Sequence, residues 1–285
     1  MTSNTTSPGQ LHPERMTASR SWQDFAASAL QSAAGFWFLV AIIGQLLFAF
    51  YIAAFYGGAV VQGDLARWSK VLPHGGYIPG DSLGNLAVGV HLLFAVFIIV
   101  GGALQMLPQI RARLPVFHRW NGRTYVLLVS LTSFIGLYLL WFRGGVGSTI
   151  QHIGLSGDAL LILLCAFLSV RHARARNVTA HRCWALRLFM VVSAVWFFRV
   201  GLMFWILING GPAGFDPVSF SGPFLDFLAF GQYLLPLAGL ELFLRAKAWR
   251  NAAGQMAVAT LIGAIAIATG VGIFVAAMGL WLPHM

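Results

Sequence analysis

Residues His91–Val126 read HLLFAVFIIVGGALQMLPQIRARLPVFHRWNGRTYV. An apolar run is halted by a stretch carrying Arg111, Arg113, Arg119 and Arg123, and beyond it the chain turns apolar again. The run is continuous rather than alternating in period two, so it predicts a membrane-spanning helix and excludes a transmembrane β-barrel. Working outward, similar runs fall at 33–57, 83–107, 122–142, 150–170, 184–208, 224–244 and 255–281. Each approximates the roughly 20 residues that a hydrocarbon core of about 30 Å requires. Hydrophobic residues make up 58% of the chain and charged ones 9%, far outside the soluble average. The expected fold is all-α: a polytopic membrane helix bundle of about seven transmembrane helices, one membrane domain over 33–285. The polar, Ser/Thr-rich residues 1–32 are expected to form a disordered cytoplasmic tail, and the long first apolar run does not read as a cleaved signal peptide.

Charge sets the expected orientation. Arg111, Arg113, Arg119, Arg123, Arg171, Arg174, Arg176, Arg182, Arg187, Arg245, Lys247 and Arg250 fall in or beside the even-to-odd connections. Only Arg67, Lys70 and Arg143 lie on the other side, with Asp64, Asp81 and Asp216 beside them. The positive-inside rule predicts a cytoplasmic N-terminus and an external C-terminus in a bacterial cytoplasmic (inner) membrane. The net charge of +10 is then a topology signal rather than a nucleic-acid footprint. The lipid bilayer is the expected partner, a homo-oligomer is admissible, and the basic rim suits anionic lipid or a small anion. Cys165 and Cys183 form no disulfide framework and no haem-attachment motif.

His118–Arg123, HRWNGR, is nearly repeated at His181–Arg187, HRCWALR. Each unit follows an inward-running segment with a histidine near its outer end: His91 lies 20 residues before Arg111, and His152 lies 19 before Arg171. At 1.5 Å per residue both would stand roughly 30 Å above the basic face. The second and third segments thus read as a two-helix unit repeated by the fourth and fifth, within a four-helix core over about 83–208. Paired at the outer face, His91 and His152 would offer two axial imidazoles to one haem b; His118 and His181 would do the same at the inner face for a second. Gly101, Gly102, Gly136 and Gly201 would give a macrocycle clearance, although glycine is also common where membrane helices simply pack. A lone histidine at a membrane boundary is often just solvated, and His12, His74, His172 and His284 are read that way.

The two His-Arg units and their neighbours resemble a family of bacterial predicted membrane proteins classed as a domain of unknown function. Its pattern is an intramembrane His, then Gly and Gln before an Arg-rich turn, then His-Arg-x-x-Gly-Arg-x-Tyr, and later His-Arg-x-Trp-x-x-Arg with a further Arg. His91, Gly102, Gln105, Arg111, His118, Arg119, Gly122, Arg123, Tyr125, His181, Arg182, Trp184, Arg187 and Arg199 fit it; Ala185 stands where members often have Met. This resemblance implies a family and almost nothing about activity. In layout, the alternating outer and inner histidines are also similar to those of the ascorbate-dependent transmembrane di-haem cytochromes b. That likeness implies two haems and transmembrane electron transfer, while the seven segments and the inner histidines placed before their helices depart from the pattern.

Arg199 should stand near the plane of the outer histidines and need an anionic partner, with a haem propionate, Asp158 or Asp226 as candidates. Glu241 is expected to pair with Arg245 one turn away. On the haem reading, Arg119, Arg123, Arg182 and Arg187 would neutralise inner propionates or attract a small anionic reductant. Electrons would pass outward as in a transmembrane oxidoreductase, from such a reductant or a quinone to an external acceptor. Without haem, His91, His152, Asp158, Arg199 and Asp226 read instead as a polar site of a transporter or of a proton or small-solute relay. A third reading is a structural partner of a membrane complex. The aromatic belt accounts for Trp68 and Tyr77, Pro236 would kink the sixth segment, and no other interruption of a helix is evident.

Overall fold

The computed structural model describes the backbone of residues 13–71, 76–145 and 147–284 and the side chains from Ser21 onward. Among these residues ten α-helices follow in order: α1 (Pro13–Tyr51), α2 (Gly58–Gln62), α3 (Ser82–Met106), α4 (Pro108–Arg113), α5 (Pro115–Trp141), α6 (Thr149–Arg174), α7 (Val178–Val192), α8 (Ala194–Asn209), α9 (Pro223–Ala246) and α10 (Ala252–Ala276). A π-helical turn, Ile52–Gly57, joins α1 to α2, and another, Ala277–Trp281, extends α10. Among the described residues six helical units are long and apolar enough to cross a membrane, and the pair α7–α8, bent by 51°, makes a seventh when taken as one span. The bend does not reverse the chain. Beyond α8, the Phe220 carbonyl accepts from Gln151 at the start of α6, so α7 and α8 together run from one end of the bundle to the other.

Local chemistry sets the helix ends. Asp81, Ser148, Asn177 and Asn251 each accept from a backbone N–H three residues on, capping α3, α6, α7 and α10. Pro108, Pro115 and Pro223 open α4, α5 and α9, where a missing N–H costs nothing. Pro108 also forces Leu107 into an extended conformation, so α3 ends at Met106 and Arg111 lies on a separate short helix. Pro236 is held within a continuous α9.

Three features differ from the expected layout. The first helix begins at Pro13, so residues 13–32 continue it rather than forming a disordered tail; residues 1–12 lie outside the described residues. Ala26 and Leu30 on this extension are buried, and Leu30 packs beside Val258 and Ala259 of α10. The fifth span is broken at Ser193 instead of running straight through 184–208. Trp68, assigned to an aromatic belt, is 3% exposed and donates its indole N–H to the Tyr56 carbonyl. It belongs to an apolar core with Phe48, Tyr51, Phe55, Tyr56, Trp196 and Trp281 at the end opposite the two His-Arg units.

Candidate functional site

A cavity of about 270 Å³ lies between α1, α3, α5, α6 and the α7–α8 break. Its wall is mostly apolar, but Gln45, His91, Tyr125, Thr132, Ser133, Asp158, Ser193 and Trp196 are part of it. Among the described residues, four of these side chains carry a buried polar atom with no hydrogen-bond partner: His91 Nδ1, Thr132 Oγ1, Asp158 Oδ1 and Trp196 Nε1. Asp158 is 4% exposed. Leaving one such atom unpaired costs on the order of 1–3 kcal/mol, so four around one space is not what packing alone selects. The inventory is mixed: the indole only donates, an ionised carboxylate only accepts, and the imidazole and hydroxyl do either.

The break at Ser193 is tied to this wall. Gln45 Nε2 donates to Ser193 Oγ at 3.0 Å, and Ser193 Oγ donates to the Phe189 carbonyl at 2.7 Å. Serine bonding back to a carbonyl four residues earlier bends a helix, and here the bend turns Val192, Ser193, Val195 and Trp196 toward the cavity.

The histidines are placed differently from one another. His91 lines the cavity and packs on Gly136, where a β-carbon would lie 3.4 Å from its Cε1. His152 is not part of that wall; its ring nitrogen lies 3.1 Å from the Gly145 carbonyl, and its edge meets Trp141 with centroids 5.6 Å apart. The expected common depth rested on counting from His91 to Arg111 as one helix. Counted from the basic ends of their own helices, Met106 and Arg174, His91 stands roughly 22 Å up and His152 roughly 33 Å. The inner pair is closer to the expectation. His118 is within electrostatic reach of His181 and Arg111 and carries a buried Nδ1 with no partner, while His181 Nδ1 lies 3.0 Å from the Ser169 carbonyl. The glycines assigned to macrocycle clearance are filled by side chains: Gly101 and Gly102 face Asn121 and Tyr125, Gly136 faces His91, and Gly201 faces Leu228.

The charged residues also take other partners than expected. Among the described residues, ion pairs join Arg143 to Asp81 and Arg187 to Glu241, each at 2.7 Å; no carboxylate reaches Arg199. Arg199 lies over the Phe48 ring at 5.1 Å, donates to the Val195 carbonyl, and is within electrostatic reach of Tyr51, Tyr56 and His91. Asp226 instead accepts from Ser148 and Gln151 at the start of α6. Glu241 takes Arg187 of α7 rather than Arg245, which bridges two helices where a local pair was expected. Arg123 and Arg187 each stack over the tryptophan three residues earlier, Trp120 at 4.9 Å and Trp184 at 4.7 Å, so the two His-Arg units share a cation–π pair. Arg119 and Arg182 enter no described ion pair, and Cys165 and Cys183 are free. His284 is bound to the Leu280 carbonyl and His74 lies outside the described residues. Among the described residues, no three His, Cys, Asp or Glu side chains are grouped to hold a metal ion.

Sequence reasoning missed Gln45, Thr132, Ser133, Ser193 and Trp196. A signal was present on α5, where His118, Asn121, Tyr125, Thr132 and Ser133 recur at helical spacing on one face. Comparison with known proteins fits the geometry's silence on a familiar activity. A family described as Predicted membrane protein (DUF2306) matches residues 88–232, just over half of the chain, and the chain belongs to that family. No curated protein and no solved structure matches.

Proposed function

We propose that this member of the predicted-membrane-protein family is a haem-free transporter or relay that moves protons, alone or with a small polar solute, through its central cavity. One observation carries the reading: His91, Thr132, Asp158 and Trp196, each carrying a buried unpartnered polar atom, all line one cavity beside a broken helix. Ionisable residues inside a membrane mark proton and solute pathways, and interrupted helices line the substrate sites of many carriers. His91 and Asp158 are the proton-exchanging groups. Thr132, Ser133 and the Gln45–Ser193 pair hold the solute by hydrogen bonds, and Trp196 gives it a donor. Arg199, facing aromatic rings rather than a carboxylate, leaves a positive charge near His91. The basic end faces the cytoplasm of a bacterial cell by the positive-inside rule.

The test is proton flux in liposomes containing the purified protein and a trapped pH-sensitive dye, driven by a potassium diffusion potential. The expected result is flux well above that of protein-free liposomes, cut at least tenfold by Asp158→Asn. Flux equal to that of empty liposomes overturns the reading.

A redox reading keeps one supporting observation, the proximity of His118 and His181 at the basic end. Those two imidazoles would hold one b-type haem there, a one-electron centre for a quinone or a small anionic reductant. At the other end only His91 lines the cavity, and His152 lies against the Gly145 carbonyl and the Trp141 ring. Oxidised and reduced absorption spectra of the purified protein separate the readings: a low-spin bis-histidine spectrum supports the haem, and a colourless folded protein removes it.

A further inference from the structure

We infer that the solute of the central cavity is a small monovalent anion; this rests on the cavity reading above. Arg199, the Tyr51 hydroxyl and the indole N–H groups of Trp196 and Trp281 hold it at the part of the wall that Phe48 and Trp196 form. Phe48 is the hub of these groups. Its ring centroid lies 5.3 Å from that of Trp281, 6.2 Å from that of Tyr51 and 5.1 Å from the Arg199 guanidinium carbon. Trp196 and Arg199 stand three residues apart on α8, which makes them neighbours on its surface.

All four groups donate, and among the described residues nothing answers them. Tyr51 Oη, Trp196 Nε1 and Trp281 Nε1 are buried with no hydrogen-bond partner, and their residues are 3%, 3% and 1% exposed. Tyr56 adjoins Tyr51, and two phenols that share one hydrogen bond still have one hydrogen left to give. Indole and guanidinium have no acceptor at all. Arg199 gives one N–H to the Val195 carbonyl, and no carboxylate forms an ion pair with it. An aromatic face is a weak partner for a guanidinium inside a membrane, where an uncompensated charge is expensive. Outside the spans, Arg67 lies over Phe55 of the same aromatic core at 5.0 Å and adds positive charge at that end. Surplus donors around one buried cation fit a ligand that only accepts and carries one negative charge. The mostly apolar wall of a 270 Å³ cavity keeps that ligand small.

Two measurements on the full chain test this. The thermal midpoint in detergent is read in sodium chloride, nitrate and methanesulfonate against sodium gluconate at equal ionic strength. The three test anions are spherical, planar and tetrahedral, and all come from strong acids that do not cross a bilayer uncharged. A ligand that binds only the folded chain stabilises it, so at least one of the three is expected to raise the midpoint by several degrees. Arg199→Gln abolishes that gain; if this variant aggregates, Tyr51→Phe, which removes one hydroxyl and keeps the ring, should at least halve it. In liposomes with a trapped pH-sensitive dye, an inward gradient of the same anion is expected to shift the lumenal pH at least threefold faster than in protein-free liposomes. No gain over gluconate in any salt, or a gain undiminished in the variant that folds, overturns the site. No pH response to the anion gradient, beside a proton flux that Asp158→Asn cuts tenfold, overturns the anion as solute and leaves the cavity reading standing. No proton flux in the wild-type chain removes the cavity reading and this inference with it.

Discussion

Gln45 on α1 donates to the Ser193 hydroxyl at the junction of α7 and α8, joining the long first helix to the break in the fifth span. Replacing Ser193 with alanine strands the Gln45 amide in a buried site, at a cost of about 1–3 kcal/mol, and removes the bond to the Phe189 carbonyl. Ser193→Ala is therefore expected to lower the thermal midpoint in detergent by several degrees. Gln45→Leu, which removes the stranded group itself, lowers it less, and a larger loss for Gln45→Leu contradicts this account.

Asp158 supplies a contrast between stability and function. Its carboxyl is buried with an unpaired oxygen, so Asp158→Leu removes a desolvation penalty and fills space. The variant should melt at a higher temperature than wild type while losing proton flux. A lower midpoint shows that the carboxyl has a partner that stabilises the fold.

Two glycine replacements should fall on opposite sides of the same divide. A β-carbon at Gly272 would lie 2.6 Å from the Val200 carbonyl oxygen, which is backbone and cannot step aside, so Gly272→Ala pushes α10 off α8 and costs about 1–3 kcal/mol. At Gly122 the obstacle is the far end of the flexible Gln105 side chain. Gly122→Ala is expected to keep the midpoint in detergent within about two degrees. Equal destabilisation by the two changes would show that Gln105 is held rigidly.

Arg187 and Glu241 meet across α7 and α9 with side chains 23% and 35% exposed. A double-mutant cycle with Arg187→Ala and Glu241→Ala should return a coupling of about 0.5–1 kcal/mol in thermal stability, the range of partly solvated pairs. The same cycle on Arg245 and Glu241 should return none.

At the opposite end, the hydrogen bond from Arg143 and then the Gly84 amide hold the Asp81 carboxyl below the usual carboxylate range. A depressed carboxylate stabilises the fold above its unfolded value, about 3.9, and the contribution is lost as pH falls through the lower folded value. Asp81→Asn should thus melt below wild type at pH 7, with the gap closing below about pH 4. A gap that persists unchanged at pH 3 indicates that Asp81 acts through geometry rather than charge.

The helix count was legible because continuous apolar runs of membrane length have few other uses, and Pro108 and Pro115 bracketed the basic turn in plain view. The break at Ser193 was not. A lone serine among Val192, Ala194 and Val195 gives no proline or glycine signal, and the bend depends on a bond from Gln45, 148 positions away. The site was half legible for a related reason. His91 and Asp158 stood out as intramembrane ionisable groups, but their expected companions His152, Arg199 and Asp226 were assigned by depth along the chain. Depth ignores which face of a helix a side chain occupies, and helix rotation takes His152 to Trp141, Arg199 to Phe48 and Asp226 to Ser148. The polar stripe on α5 was visible as a period, but its hydroxyls and amides carry no charge to draw attention.

The pairing of α1 with α10 sets the order of events during synthesis. Gln23 bonds Gln255 across 232 positions, and Leu30 is covered by the face of α10 that carries Val258 and Ala259. At about 5–20 residues per second, a ribosome needs roughly 12–46 s between making those two glutamines. Throughout that interval α1 sits in the bilayer with the face meant for α10 uncovered, and neighbouring lipid or an insertion chaperone must cover it until α10 arrives.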